Sequence, residues 1–471
     1  MAPASRHIEA KLGGVLSLLL VVCLNPWLTA RLLTADGQLE SERLTLLLGA
    51  LAFGLGLVGV LLLTSVWRPK PALAKVIILC GSGLLTFYLT VFIDRLTGKL
   101  LLPPAQSLLF PANSEVNYKT AEFQITARIN HLGFRDYEYP LQKGKKYRIL
   151  VIGDSFTFGW GVNIEDTWVK LLEAKLQSEN PEVEVLNLGR SGGSPENYAA
   201  IAKQVIPVLK PDLIIIALLQ GNDLSQLLPV NKPGTDLPPP PQLAFRRIAG
   251  IAIANAYPNF SRLLATTTLQ TEVKPVWQNQ AAYILRYLSP EEKVKFQQLH
   301  PTTKQHFQNG DLNPDLIYEL LKDPDQYLRL EDTGSQAVQT AVYKLQSYLK
   351  QIQNTAQHHH SQLLAVSVPN KFYLCEKAMQ EHTLLGAHID TRLLRRNTPD
   401  SLVAAVTQTL DIPFYTVTSA MRQHGATQRL YYIYDSHFTP LGNALFADAI
   451  FKRLRKPVLT FASNRKAATT H

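Results

Sequence analysis

Cysteine is scarce: 471 residues carry three of them. Cys23 and Cys80 lie in apolar runs, which leaves Cys375 alone in the rest of the chain and argues against both a disulfide framework and a cysteine zinc site. Charge is also low. Asp, Glu, Lys and Arg make up 18% of the residues, below the roughly 25% typical of soluble domains, so part of the chain avoids water. There is no biased repeat, and apolar residues reach 46%, which rules out a disordered or fibrous chain. The charge that is present is unbalanced, 47 Lys and Arg against 37 Asp and Glu, for a formal +10. That balance suits a surface facing anionic lipid or polysaccharide. The basic cluster Arg392, Arg395 and Arg396 lacks the interleaved aromatics of a nucleic-acid site, so no nucleic-acid partner is expected. His358, His359 and His360 stand in a polar turn and read as a solvated loop. No metal and no cofactor is expected.

The apolar content is concentrated near the N-terminus. Leu12–Ala30, Leu44–Trp67 and Val76–Ile93 contain no Asp, Glu, Lys, Arg or His, and each is long enough as a helix to cross a hydrocarbon core of about 30 Å. Residues 1–95 therefore read as a membrane anchor of three helices. Ala52, Gly54, Gly56 and Gly59 would let helices pack closely. The runs hold no ionisable side chain, so an anchor is expected, with no ion or proton path. Arg6 and Lys11 precede the first run, and Arg68, Lys70 and Lys75 fill the second loop without an acid, whereas the first loop mixes Arg31 and Arg43 with Asp36, Glu40 and Glu42. The basic flanks place the N-terminus and second loop in the cytoplasm and everything after about Asp94 outside it. A cleaved signal peptide ending near Leu28-Thr29-Ala30 is the alternative for the first run, with the same outcome for the remainder.

After a linker and lead-in over residues 96–145 the texture changes. Strand-length apolar runs at Arg148–Ile152, Val183–Leu188, Leu213–Leu219 and Leu363–Val368 alternate with helical patterns. The latter cover Thr167–Leu176, Pro195–Leu209, Ala337–Ile352 and Pro440–Leu454. This alternation predicts a doubly wound parallel α/β sheet over residues 146–456, followed by a basic tail, 457–471, with its site at the C-terminal ends of the strands. The pattern breaks between about 228 and 333. Pro238–Pro241 is a rigid stretch and Ser289-Pro290-Glu291-Glu292 a capping box, so a helical insertion is expected there. It is either a lid or substrate platform, or structural padding.

Chemistry collects at strand ends. The first strand ends in Gly153-Asp154-Ser155-Phe156, the second in Asn187-Leu188-Gly189-Arg190-Ser191-Gly192-Gly193-Ser194, and the third in Gln220-Gly221-Asn222-Asp223. A late segment, Tyr434-Asp435-Ser436-His437, precedes the last helix. Each has a bland reading as a turn or helix cap. Together they supply a nucleophile, a base and backbone or amide donors for an oxyanion, the set that acyl transfer requires. Trp160 and Trp168 lie close by; either can stack on a sugar ring, although Trp168 sits on an apolar helix face that suits core packing.

These blocks resemble the SGNH hydrolase superfamily, also called GDSL esterases and lipases, over roughly residues 124–227 and 336–456. Asn130-His131-Leu132-Gly133-Phe134-Arg135-Asp136 is similar to a lead-in of bacterial members. The resemblance implies a three-layer α/β/α, flavodoxin-like fold and a metal-independent serine mechanism. Ser155 would be the nucleophile and His437 the base. The Ser155 and Gly192 N–H groups and the Asn222 amide would form the oxyanion hole, and Gly153, Asp154, Gly189, Gly221 and Asp223 would support it. Gly189 is the alternative to Gly192. The family's acid usually stands three positions before the histidine, where this chain has Tyr434; Asp435, two before, is the candidate. The expected protein is an anchored esterase or O-acyltransferase acting on an ester-bearing, O-acetylated glycan or lipid outside the cytoplasm. The alternative is a catalytically idle envelope assembly or binding protein on the same fold.

Overall fold

A computed structural model of the chain describes residues 3–33, 42–66, 70–100, 109–110, 112–229, 257 and 270–469. The loop charges Asp36, Glu40 and Arg68 and the Pro238–Pro241 stretch lie outside the described residues. The chain divides into two compact units, one of residues 1–105 and 238–267 and one of residues 106–237 and 268–471.

In the first unit the expected run Leu12–Ala30 is not one helix. It breaks into helices Pro3–Cys23 and Pro26–Leu33, because Pro26 has no N–H to give to the preceding turn, while the Asn25 side chain accepts from the N–H groups of Trp27 and Leu28 at 3.0 and 3.3 Å and starts a new helix. Among the described residues two stretches are long and apolar enough to cross a membrane, Thr45–Leu63 and Ala72–Leu96, where three were expected. Pro3–Cys23 packs on both of the helices that carry them. Of the small residues in the second run, Gly59 makes the close approach, since a Cβ there would stand 2.9 Å from Leu18, whereas Gly54 faces open space. Leu46, Phe53 and Leu79 point outward, each more than 70% exposed.

The second unit holds eight strands among the described residues: β1 (Glu115–Lys119), β2 (Gln124–Arg128), β3 (Tyr147–Gly153), β4 (Val183–Gly189), β5 (Leu213–Leu219), β6 (Gln270–Glu272), β7 (Gln362–Val368) and β8 (Phe414–Thr416). Five form an all-parallel sheet in the order β4-β3-β5-β7-β8. Numbered along the sheet's own strands this is 2-1-3-4-5, the flavodoxin-like order, whose switch point lies between the neighbours β3 and β5. Every residue of β3, β4 and β5 is buried, which is why their sequences are continuously apolar: helices cover both faces. Leu150, Ile152, Ile214 and Ile216 pack with Val205 and Leu345 on one side, and Ile149, Val151 and Ile215 pack with Leu172, Phe446 and Ile450 on the other. The strand alternation thus feeds two separate cores. Helix Pro195–Leu209 opens with a capping box, Ser194 and Asn197, and Pro195 at its first position. The last helix does not stop near Leu454; it begins at Pro440 and runs through the basic tail to Thr469.

A second, three-stranded sheet lies within the same unit. β1 and β2 form an antiparallel hairpin inside the lead-in, and β6 runs parallel to β1. β6 opens the described part of the insertion, which continues as helices Val273–Tyr287, Pro290–Gln298, Pro301–Gln308 and Pro314–Lys322. Their apolar faces build a core from Phe296, Phe307, Ile317 and Leu320 against Phe372 and Tyr373.

Candidate active site

β3 delivers Ser155. The strand ends at Gly153, and the Asp154 carboxylate accepts from the Phe156 N–H at 3.0 Å, capping the one-turn helix Ser155–Phe158. Ser155 therefore stands at the first position of a helix at the sheet's C-terminal edge. Its Oγ lies 2.7 Å from His437 Nε2, and His437 Nδ1 lies 2.6 Å from Asp435 Oδ1. The other carboxylate oxygen of Asp435 accepts from Trp160 Nε1 at 2.9 Å. The carboxylate that meets His437 is thus that of Asp435; the Tyr434 ring turns away and packs edge-on to His306. Ser436, between Asp435 and His437, adopts φ +71°, a left-handed conformation uncommon for a residue with a side chain. Its hydroxyl contacts His382 Nδ1 at 3.2 Å. Tyr432 N–H donates to the His437 carbonyl at 2.9 Å and closes the loop on itself.

Geometry separates the two glycine candidates. The Gly189 N–H already donates to Asn187 Oδ1 at 2.9 Å, and a Cβ at Gly189 would fall 2.0 Å from the Phe158 nitrogen. Gly189 lets β4 pass under the Ser155 helix. Gly192 has φ +68° and open space where a Cβ would point, so conformation, and not crowding, favours glycine there. The N–H groups of Ser155 and Gly192 meet no acceptor among the described residues. Asn222 begins the one-turn helix that follows β5, after Gly221. β3 pairs with β4 at Gly153 and Gly189 and with β5 at Gly153 and Ala217, so the three loops emerge side by side. Trp160 is buried and stacks on Trp277 at 6.1 Å, and Trp168 is fully buried against Phe446; neither presents a free face to a sugar.

Two carboxyls near these loops, Asp154 and Asp223, are buried. Asp223 accepts from Tyr198 Oη and Leu219 N–H, both at 3.1 Å. Burial, reinforced by the charge of Asp154, pushes its carboxyl well above the usual range. Burial also raises Asp154 to about 6, with His437 and backbone N–H groups pulling the other way. The sign of the consequence is set by linkage. The folded state binds this proton more tightly than the unfolded chain, so the contribution of Asp154 is greatest below its ordinary 3.8 and is lost as pH rises through about 6. Asp154→Asn keeps a capping oxygen and removes the titration. Denaturant melts at about pH 4.5 and about pH 7.5 should show the wild type losing up to about 2 kcal/mol more than the variant across that interval.

The lead-in residues Arg135 and Asp136 support the site from outside the four polar blocks. Arg135 donates to the Phe158, Gly159 and Val162 carbonyls at 3.0, 2.5 and 2.6 Å and so ties down the end of the Ser155 helix. Asp136 binds Lys170 Nζ at 2.7 Å and accepts from the Asn187 N–H at 2.8 Å. The lead-in motif is thus a brace beneath the β3 and β4 loops. Glu122, Lys371 and Tyr327 were not singled out; each becomes visible only when distant segments meet.

A parallel sheet in flavodoxin order, with serine, histidine and aspartate joined in one hydrogen-bonded chain at its C-terminal edge, has the architecture of the SGNH α/β/α fold. Residues 151–316, about a third of the chain, match the model of the GDSL-like Lipase/Acylhydrolase family. Curated relatives include a protein named Arylesterase from Vibrio mimicus, 35% identical over 71 residues, which are 15% of this chain and 36% of that protein. Another is Esterase TesA of Pseudomonas aeruginosa, 32% identical over 82 residues, 17% of this chain and 40% of that one. The chain spans less than half the length of either. Among solved structures, the crystal structure of TesA aligns with 66% of this chain and 99% of its own at 12% identity and a TM-score of 0.32.

Proposed function

We propose that this protein is a membrane-anchored serine esterase or O-acyltransferase acting on O-acyl, chiefly O-acetyl, groups of an extracytoplasmic glycan or lipid. The observation that carries the reading is His437 hydrogen-bonded at once to Ser155 and Asp435, at 2.7 and 2.6 Å. In the proposed reaction Ser155 Oγ attacks the ester carbonyl carbon as His437 Nε2 takes its proton, and the carbonyl electrons move to oxygen. The Ser155 and Gly192 N–H groups and the Asn222 amide receive that oxyanion. Collapse expels the alcohol, which leaves with the proton from His437, and Ser155 is left acylated. Water, or an acceptor hydroxyl in the transferase, then gives its proton to His437 as it attacks the acyl carbon, and Ser155 Oγ leaves with that proton, restoring the free enzyme. The two apolar spans, with large side chains facing outward, support the anchor, and the basic flanks of the sequence support the orientation.

Labelling of the purified full chain by a fluorophosphonate tests the reading. Covalent modification that disappears in Ser155→Ala is expected, together with release of acetate from acetylated oligosaccharide; no labelling of wild type refutes it. Adding a polyol acceptor separates the two outcomes, since a transferase yields acetylated acceptor at the expense of free acetate.

A further inference from the structure

Glu122 sits in the turn, Thr120–Phe123, that closes the β1–β2 hairpin, outside the parallel sheet and outside the reacting groups. Thr120 Oγ1 accepts from the Glu122 and Phe123 N–H groups, both at 3.1 Å, and fixes that turn. The Glu122 side chain reaches more than 300 residues along the chain to the loop bearing the acid. Its Oε1 accepts from the Ile433 N–H at 2.6 Å, and its Oε2 from the Tyr434 and Asp435 N–H groups, both at 2.8 Å. Three successive N–H groups on one carboxylate form an anion nest. From the opposite side of the same peptide the fully buried Lys371 donates its Nζ to the Ile433 carbonyl at 2.7 Å. The loop belongs to no strand of the sheet; beside its own antiparallel Tyr431–Phe438 bridge, these contacts hold its backbone. The hairpin also supports the other oxygen of the acid: Tyr118 packs on Trp160 at 4.7 Å, and Trp160 donates to Asp435 Oδ2.

We propose that Glu122 is a positioning residue for the Ser155 chemistry: it fixes the backbone at Asp435 so that the carboxylate stays on His437 Nδ1, which makes the lead-in hairpin a working part of the active site. This rests on the serine mechanism proposed above. Glutamine has a single acceptor oxygen and turns its NH₂ toward N–H donors, so Glu122→Gln breaks the nest with little change of volume.

The test is a double-mutant cycle in the full chain on a model acetyl ester. Glu122→Gln and Glu122→Ala are each expected to lower kcat by about 10- to 100-fold with KM within about threefold, the penalty of a misplaced base. In an Asp435→Asn background the same changes should cost less than about threefold, because the acid they position no longer orients His437. Equal losses in both backgrounds overturn the proposal. If Glu122→Ala does not fold, Glu122→Gln carries the cycle. A second arm needs no substrate. The far-downfield proton resonance of His437 Nδ1–H should be present in wild type and lost or shifted in Glu122→Gln. A resonance unchanged by the substitution overturns the inference even where the wild type cleaves esters, and a wild type that cleaves none refutes the esterase reading while this arm still decides the role of Glu122.

Discussion

Ser155→Ala is expected to lower ester turnover by about 10⁶-fold, His437→Ala by nearly as much, and the double variant by little more than either. The non-additivity follows from geometry. Ser155 Oγ and His437 Nε2 share one proton across 2.7 Å, so removing the base leaves a hydroxyl that is a weak nucleophile, and removing the hydroxyl leaves a base with nothing to activate. Neither substitution should disturb the fold. Asp154 and not Ser155 caps the one-turn helix, and the loop around His437 is held by Glu122, Lys371 and the Tyr432 contact to the His437 carbonyl. Turnover at saturating acetyl ester, with the melting temperature followed in parallel, measures the effect. Losses that multiply in the double variant would show that the two residues serve separate steps.

Asp435→Asn should cost up to about 10⁴-fold, by analogy with the aspartate of serine proteases, and the structure gives the reason. Trp160 Nε1–H is a fixed donor aimed at Asp435 Oδ2. An asparagine at this position satisfies it only by turning its oxygen toward Trp160, which points the NH₂ at His437 Nδ1. Nδ1 must then accept, the imidazole proton moves to Nε2, and the nitrogen facing Ser155 can no longer take a proton. Trp160 thus enforces the wrong tautomer. Trp160→Phe removes the donor and lets the amide flip, so the double variant Trp160→Phe, Asp435→Asn should regain about tenfold over Asp435→Asn alone. A double variant as slow as or slower than Asp435→Asn would mean that Trp160 does not select the orientation of the amide.

The sheet and the four polar blocks are legible because each is written locally. β3, β4, β5 and β7 are strands covered on both faces, and burial on both faces leaves an unbroken apolar run. Ser155, Gly192 and Asn222 lie within a few residues of the ends of those runs, and the parallel alternation alone sends these ends to one edge. The helical part of the insertion announces itself through the capping box at Ser289 and Glu292, whose two reciprocal bonds the structure contains. Other features follow from placement that no local pattern encodes. The three-residue strands β6 and β8 are too short to show a period. A turn residue such as Glu122 has the same local signature whether its carboxylate faces solvent or three N–H groups of a loop more than 300 positions away. The first apolar run reads as continuous by hydropathy because Asn25 and Pro26 are uncharged, yet their hydrogen-bonding chemistry ends one helix and starts another. The pairing of Asp435 with His437, against the usual spacing, likewise depends on the left-handed turn at Ser436 and on the indole of Trp160, 275 residues away. Residue type and strand pattern determine which chemical groups reach the sheet edge. Which nitrogen each one faces is decided by long-range hydrogen bonds, because orientation is a property of the donors and acceptors packed around a side chain and not of the side chain alone.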